Sequence, residues 1–272
     1  MNKFRKAFTA IREIAKNPYL LNHVIDEELF WKKKVMKKHG FELGLPQVKI
    51  TDLLGDFREK VSPYAFLDGS SSPLDLALLR GLAWNFGVED YLEIGTWRGE
   101  SAANMAPLVK NCFTLNLPDE SMRQMGLAED YINLHRFFSQ NIPNVTHIQA
   151  DSLTFDFETL DKKFDMVFID GDHHYPSVKS DTEKIFRILK DEKSIVVWHD
   201  YASNPEKVRW SVLCGILDGC PPRFYKNLYH VSNTLCAVFL PDGIFDGTSS
   251  FLKANSIPEI AFEVTIRPEK IP

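Results

Sequence analysis

The four cysteines (Cys112, Cys214, Cys220, Cys236) contain no CxxC pair, so zinc-knuckle and dithiol redox spacings are missing. Three of them sit in or beside apolar runs and read as buried free thiols of a reducing compartment. No apolar run approaches the roughly 20 residues that a membrane span needs. The opening stretch, MNKFRKAFTAIREIAKN, has charges at helical spacing and no apolar h-region, so no secretion signal is expected. Basic charge is not in excess either. With 32 Lys and Arg against 37 Asp and Glu, the net charge is −5, which argues against a nucleic-acid protein working through a broadly basic face. Internal repeats and low-complexity tracts are also missing. These absences predict a cytoplasmic protein with neither membrane nor nucleic acid as partner. What is present, 272 residues with 44% hydrophobic content, suffices for one large core or a medium domain with an appendage.

Residues 1–62 read as a helical extension broken at Pro18 and at Gly40–Pro46. Phe4, Phe8, Ile11 and Ile14 recur at three- and four-residue steps, giving the first helix one apolar stripe. The basic run Lys32–Lys38 reads as a solvated helix face, with an acidic partner or a membrane surface as the alternative. Ser72-Pro73-Leu74-Asp75 is a helix start, with an N-cap hydroxyl, a proline at N1 and a carboxylate at N3. The helix should run to about Phe86 and stop near Gly87. Short apolar runs then alternate with helical patterns. Strands are expected at Tyr91–Ile94, Cys112–Leu117, Val145–Gln149, Phe164–Asp170 and Ser194–Trp198, and helices near 100–109, 127–140 and 177–189. That alternation implies βαβ crossovers and a doubly wound, mostly parallel α/β sheet over residues 63–240. A helix around Pro205–Leu217 precedes two β-rich runs, Arg223–Val231 and Leu235–Leu240, which suggest a closing antiparallel hairpin. In the tail, 241–272, Phe262–Ile266 alternates like an edge strand or one that pairs with another subunit, so a homo-oligomer stays open.

Tyr91-Leu92-Glu93-Ile94-Gly95-Thr96-Trp97-Arg98-Gly99-Glu100-Ser101 is a strand, a glycine turn and a helix start. Gly95 permits a sharp turn close to a ligand, Gly99 clears space at the helix start, and the free N–H groups there suit an anion. Nicotinamide or flavin binding is disfavoured, because those ligands want GxGxxG and this is GxxxG. Glu93 could meet a cationic amine while the helix start meets a carboxylate, so the pair suits an amino acid, such as S-adenosylmethionine (SAM). The segment resembles motif I of class I SAM-dependent methyltransferases. That resemblance implies a seven-stranded Rossmann-like sheet and a cofactor site of Glu93, Gly95, Thr96, Gly99, Ser101, Asn116, Asp151, Ser152 and Asp170. Asn116 stands where the family has an acidic residue for the ribose, with Asp119 as a second candidate. Asp151 and Ser152 would read adenine, although Asp151 also reads as a turn aspartate.

Ile169-Asp170-Gly171-Asp172-His173-His174-Tyr175 sets two carboxylates and two imidazoles at the carboxyl end of a buried strand, where open α/β sheets bind ligands. The next strand ends in His199-Asp200-Tyr201, so Asp170, His199 and Asp200 should converge. Two carboxylates with an imidazole suit Mg²⁺ or another divalent metal. The IDGDHxY…HDY pair resembles the O-methyltransferases of macrolide-sugar and cephalosporin pathways and the metal-dependent catechol type. By that likeness Asp170 and Asp200 are metal ligands and His199 a third ligand or neighbour. Such a metal acidifies a hydroxyl and a histidine takes its proton. His173 is preferred as the base, and His174 reads as a helix cap or an orienting group. Asp181 reads as a surface or capping residue, and the lone His23, His39, His135, His147 and His230 as structural. Trp97 and Trp198 flank the site; either could stack on adenine or acceptor, and Trp198 reads more readily as core. The expectation is methyl transfer from SAM to a small-molecule hydroxyl of a sugar, polyketide or other secondary metabolite, assisted by a metal. The alternatives are a metal-independent methyltransferase, a metal-dependent hydrolase and a non-catalytic SAM-binding protein.

Overall fold

The computed structural model describes residues 2–18, 20, 27–245, 247–252 and 259–270; His23 lies outside them. Two helices open the chain, α1 (Lys3–Lys16) and α2 (Glu28–His39), followed by a two-residue strand β1 (Gln47–Val48) and a short α3 (Ile50–Leu54). Helix α4 (Pro73–Phe86) starts as its sequence dictates. The Ser72 hydroxyl accepts from Asp75 N and the Asp75 carboxylate accepts from Ser72 N, and Gly87 closes the helix in the left-handed region at φ +63°.

The expected strands follow as β2 (Asp90–Ile94), β3 (Asn111–Asn116), β4 (Val145–Gln149), β5 (Met166–Ile169) and β6 (Ile195–Trp198). Between them lie α5 (Glu100–Met105), α6 (Asp119–Gln124), α7 (Glu129–Leu134) and α8 (Tyr175–Ile185). The helix expected over 127–140 is shorter, because Gly126 and Arg136 take positive φ at its two ends. Beyond β6 the helix expected from Pro205 is delayed. Asn204 accepts from Glu206 N in an Asx turn, which folds β7 (Ala202–Asn204) onto β8 (Lys207–Val208), and only then does α9 (Trp210–Gly219) begin. The closing hairpin is present as β9 (Leu228–Val231) and β10 (Ala237–Phe239). Its first strand starts late, since Pro222–Asn227 is a 3₁₀ helix.

The main sheet has eight strands in the order β1-β9-β10-β6-β5-β2-β3-β4. Seven were expected; the eighth, β1, comes from the segment before residue 62 and pairs parallel to β9. Phe262–Ile266 joins no ladder among the described residues. Strand alternation builds the core on both faces. Leu92, Ile94, Val167, Ile169, Val196 and Trp198 face a cluster with Val178, Ile185, Leu213 and Leu217 of α8 and α9. Tyr91, Met166, Phe168, Ile195 and Val197 face Leu76, Leu79 and Leu82 of α4 and Met105 of α5. Trp198 is fully buried, as expected of a core residue.

Candidate active site

Pairing in register puts the carboxyl ends of β4, β3, β2, β5 and β6 along one edge, with Asn116 beside Gln149, Leu115 beside Ile94, and Ile94 beside Ile169. Gly95, Asn116, Asp151, Asp170 and His199 all follow or end these strands. Gly95 has φ +97°, and a Cβ there would lie 2.0 Å from the Asp170 carbonyl oxygen. The glycine thus lets the loops after β2 and β5 touch each other. Gly99 likewise admits Ser139, whose Oγ would be 2.1 Å from an added Cβ.

Glu93 is fully buried beneath the first loop. It accepts from Tyr91 Oη at 3.0 Å and from Thr114 Oγ1 at 3.3 Å, with Ser101 as a further donor. Burial outweighs these donors and raises its pKa to about 8. Thr96 and Thr114 share a short hydroxyl contact. The Asn116 side chain donates to Leu117 O at 3.3 Å. Asp119 pairs with Arg136 at 2.7 Å, and Asp151 accepts from Leu153 N as a turn aspartate. Asp181 is buried, not on the surface; burial lifts its carboxyl to about 6, with Ser152 of the β4 loop as its hydrogen-bond donor. Trp97 packs against Tyr131 and His135.

One fastening was not read from the sequence. Arg98 donates to Asp68 O, Leu67 O and Ser70 Oγ, while the buried Glu100 accepts from Ala65 N. Together they clamp the 63–72 loop over the start of α5. Both residues stand inside the glycine motif, where alternating charge was the available signal.

The acid–histidine cluster forms as expected. One ligand atom from each of Asp170, His199 and Asp200 lies within 4.8 Å of the other two. His199 Nδ1 is 2.9 Å from Asp170 and 3.5 Å from Asp200, yet it is buried with no aligned hydrogen-bond partner. Its Nε2 lies 3.4 Å from the wholly buried Asp75. Burial alone would lower the His199 pKa; Asp170, with Asp200 and Asp75, overrides it and holds the value well above the ordinary one. Asp200 sits at φ +57° and also faces Arg209 at 3.3 Å, while Ser71 donates to Asp170 at 2.9 Å.

His173 is half-exposed, with Nδ1 3.7 Å from Asp200, and burial lowers its pKa. His174 instead pairs with Asp172, which also accepts from His174 N and Ser177 Oγ at the start of α8. His174 thus holds the N-cap position of α8 without a side-chain cap, and its imidazole is set against the Asp172 carboxylate. Beside His173 lies a cavity of about 350 Å³ walled by Glu27, Trp31, Tyr175, Lys207 and Arg209.

Residues 92–201 match the family model described as a methyltransferase domain. The uncharacterized protein R132 of Acanthamoeba polyphaga mimivirus is 27% identical over 150 residues, which cover 53% of this chain and 64% of that protein. The chain therefore spans just under two thirds of the length of this curated relative. Among solved structures, an O-methyltransferase from Bacillus cereus in complex with SAH is 16% identical, with 83% of this chain and 97% of that one covered and a TM-score of 0.43. TomG from Streptomyces achromogenes, an O-methyltransferase involved in tomaymycin synthesis and solved with SAM, is 18% identical, with 65% and 83% covered and a TM-score of 0.42. The family match runs from β2 through Tyr201 and so holds the glycine turn, Asp151 and the whole acid–histidine cluster, and over these residues the chain is similar to a methyltransferase domain.

Proposed function

We propose that the protein transfers the methyl group of SAM to a hydroxyl of a small molecule, with a divalent ion at Asp170, His199 and Asp200 and His173 as the base. The observation that carries the reading is the cluster itself. A buried His199 nitrogen without an aligned partner faces two carboxylates at the sheet edge, next to the matched glycine turn. This donor set fits Mg²⁺ or a softer divalent ion. Such an ion would lower the pKa of an acceptor hydroxyl.

The cofactor would lie along the loops after β2, β3 and β4. Gly95, Thr96, Gly99 and Ser101 shape its amino-acid end, Asn116 takes the ribose, and Asp151 with Ser152 the adenine. Glu93 forms the floor beneath, and a ligand ammonium above the loop would favour its ionised form. The acceptor would enter the cavity beside His173, whose lowered pKa keeps the ring neutral and ready for a proton. Bound SAM would supply a methyl group whose sulfur–carbon bond breaks as the acceptor oxygen bonds to the methyl carbon, leaving SAH, and His173 would take the hydroxyl proton on its imidazole.

A second reading, a metal-independent methyltransferase, is favoured by the partners that Ser71 and Arg209 already give the two carboxylates. Calorimetry with SAM and SAH tests the shared part of both readings; no binding to either would end them. With an acceptor found by screening with labelled SAM, chelation should abolish turnover and metal add-back restore it. Turnover indifferent to chelation would select the second reading. His173→Ala should lower kcat by about 10²-fold or more while SAM still binds.

A further inference from the structure

Helix α1 carries a face that nothing among the described residues covers. None of its residues is buried. Phe4, Phe8 and Ile11 recur at helical spacing and are 86%, 73% and 67% exposed, with Ala7, Ile14 and Ala15 on the same arc. A helix of this length spans about 21 Å, so the stripe is long as well as apolar. The rest of the helix is basic: Lys3, Arg5, Lys6, Arg12 and Lys16 stand against the single carboxylate of Glu13. Glu13 contacts Arg12 and Lys16, and Lys3, Arg5 and Lys6 have no ion pair among the described residues. This concentration of positive charge belongs to a chain whose net charge is −5. The helix does not depend on packing for its start, since the Asn2 side chain accepts from Arg5 N.

We propose that α1 is an interfacial helix that lies in the plane of an anionic lipid surface. Two phenylalanines and an isoleucine would enter the boundary between headgroups and acyl chains, while the flanking cations meet the anionic headgroups. A nucleic acid would answer the cations and leave the aromatic stripe in water. A neutral apolar groove would answer the stripe and leave the cations unmatched. An anionic bilayer surface answers both. No helix of the described residues is long and apolar enough to cross a membrane, and an in-plane helix needs no span. The sequence expectation of no membrane partner rested on that missing span.

The test is flotation of the full chain with vesicles of phosphatidylcholine mixed with phosphatidylserine, against phosphatidylcholine alone, at low and high salt. The protein should float with the mixed vesicles at low salt. Binding should drop about tenfold or more on neutral vesicles, and likewise when Arg5 and Arg12 are both changed to Gln. Phe8→Glu should abolish binding while the thermal melt and SAM calorimetry stay as in the parent, since Phe8 lies outside the core and the cofactor edge. Absence of binding to the mixed vesicles overturns the proposal, as does equal, salt-independent binding to neutral ones. Self-association in solution that Phe8→Glu removes, without vesicle binding, would assign the face to a second copy of this chain and overturn it too.

Discussion

Asp75 shows how much one side chain can join. It caps α4 through Ser72, accepts from Leu235 N at 2.9 Å, and supports His199 from behind. From the sequence only its capping role was legible, because that depends on a spacing of three residues. The other two depend on contacts 160 and 124 residues away along the chain. Glu93 is the complementary case. Its place before Gly95 was readable, whereas its depth was set by Tyr91, Thr114 and Ser101 closing around it. With a pKa of about 8, the unliganded side chain is mostly neutral at pH 7. Glu93→Gln should therefore cost less than about 1 kcal/mol of stability at pH 7, since an amide replaces a neutral acid of the same shape. Glu93→Ala should cost about 2 kcal/mol or more, by leaving a cavity and unpaired donors. Urea denaturation of both variants at pH 7 checks this; equal losses would mean the side chain is buried as a charge.

Between elements, the decisive contacts are those where strand ends meet. Gly95→Ala combines a left-handed φ with a Cβ pressed 2.0 Å from the Asp170 carbonyl, so the loops after β2 and β5 must part. A loss of roughly 2–4 kcal/mol is expected, together with weakened SAM binding by calorimetry. A variant that keeps both parent values would show that the two loops are free to separate. The strands around this junction were legible because β5 and β6 are continuous apolar runs and β2 to β4 are short segments with apolar residues, separated by helical patterns. The β7–β8 ribbon was not. A helix-like pattern across 205–217 masked an Asx turn at Asn204, whose effect is local and carries no periodicity. β1 was hidden for a related reason, since two residues are too few to show alternation.

The whole molecule's response to pH contains two buried groups that pull in opposite directions. His230 is wholly buried, with its pKa lowered to about 4 by burial. Its contribution to stability is full above the unfolded value of about 6.5 and is lost as pH falls towards 4, about 3 kcal/mol in all. Asp181, raised to about 6, does the reverse: the folded state holds its proton more tightly, so about 3 kcal/mol is lost as pH rises from about 4 to 6. Asp181→Asn should remove that second loss. The variant should match the parent near pH 4 and exceed it by up to about 3 kcal/mol at pH 7.5, read from denaturant midpoints across that range. A gain independent of pH would show that Asp181 is not titrating in the folded protein.

The eighth strand also orders events in time. Gln47 of β1 lies 183 residues before its neighbour His230. At the usual pace of synthesis the wait between the two is roughly ten to forty seconds. For that interval the nascent chain holds Val48 and Ile50, both destined for full burial, without the strand that will shelter them. The β1 edge of this sheet is thus sealed only after both β9 and β10 have been made.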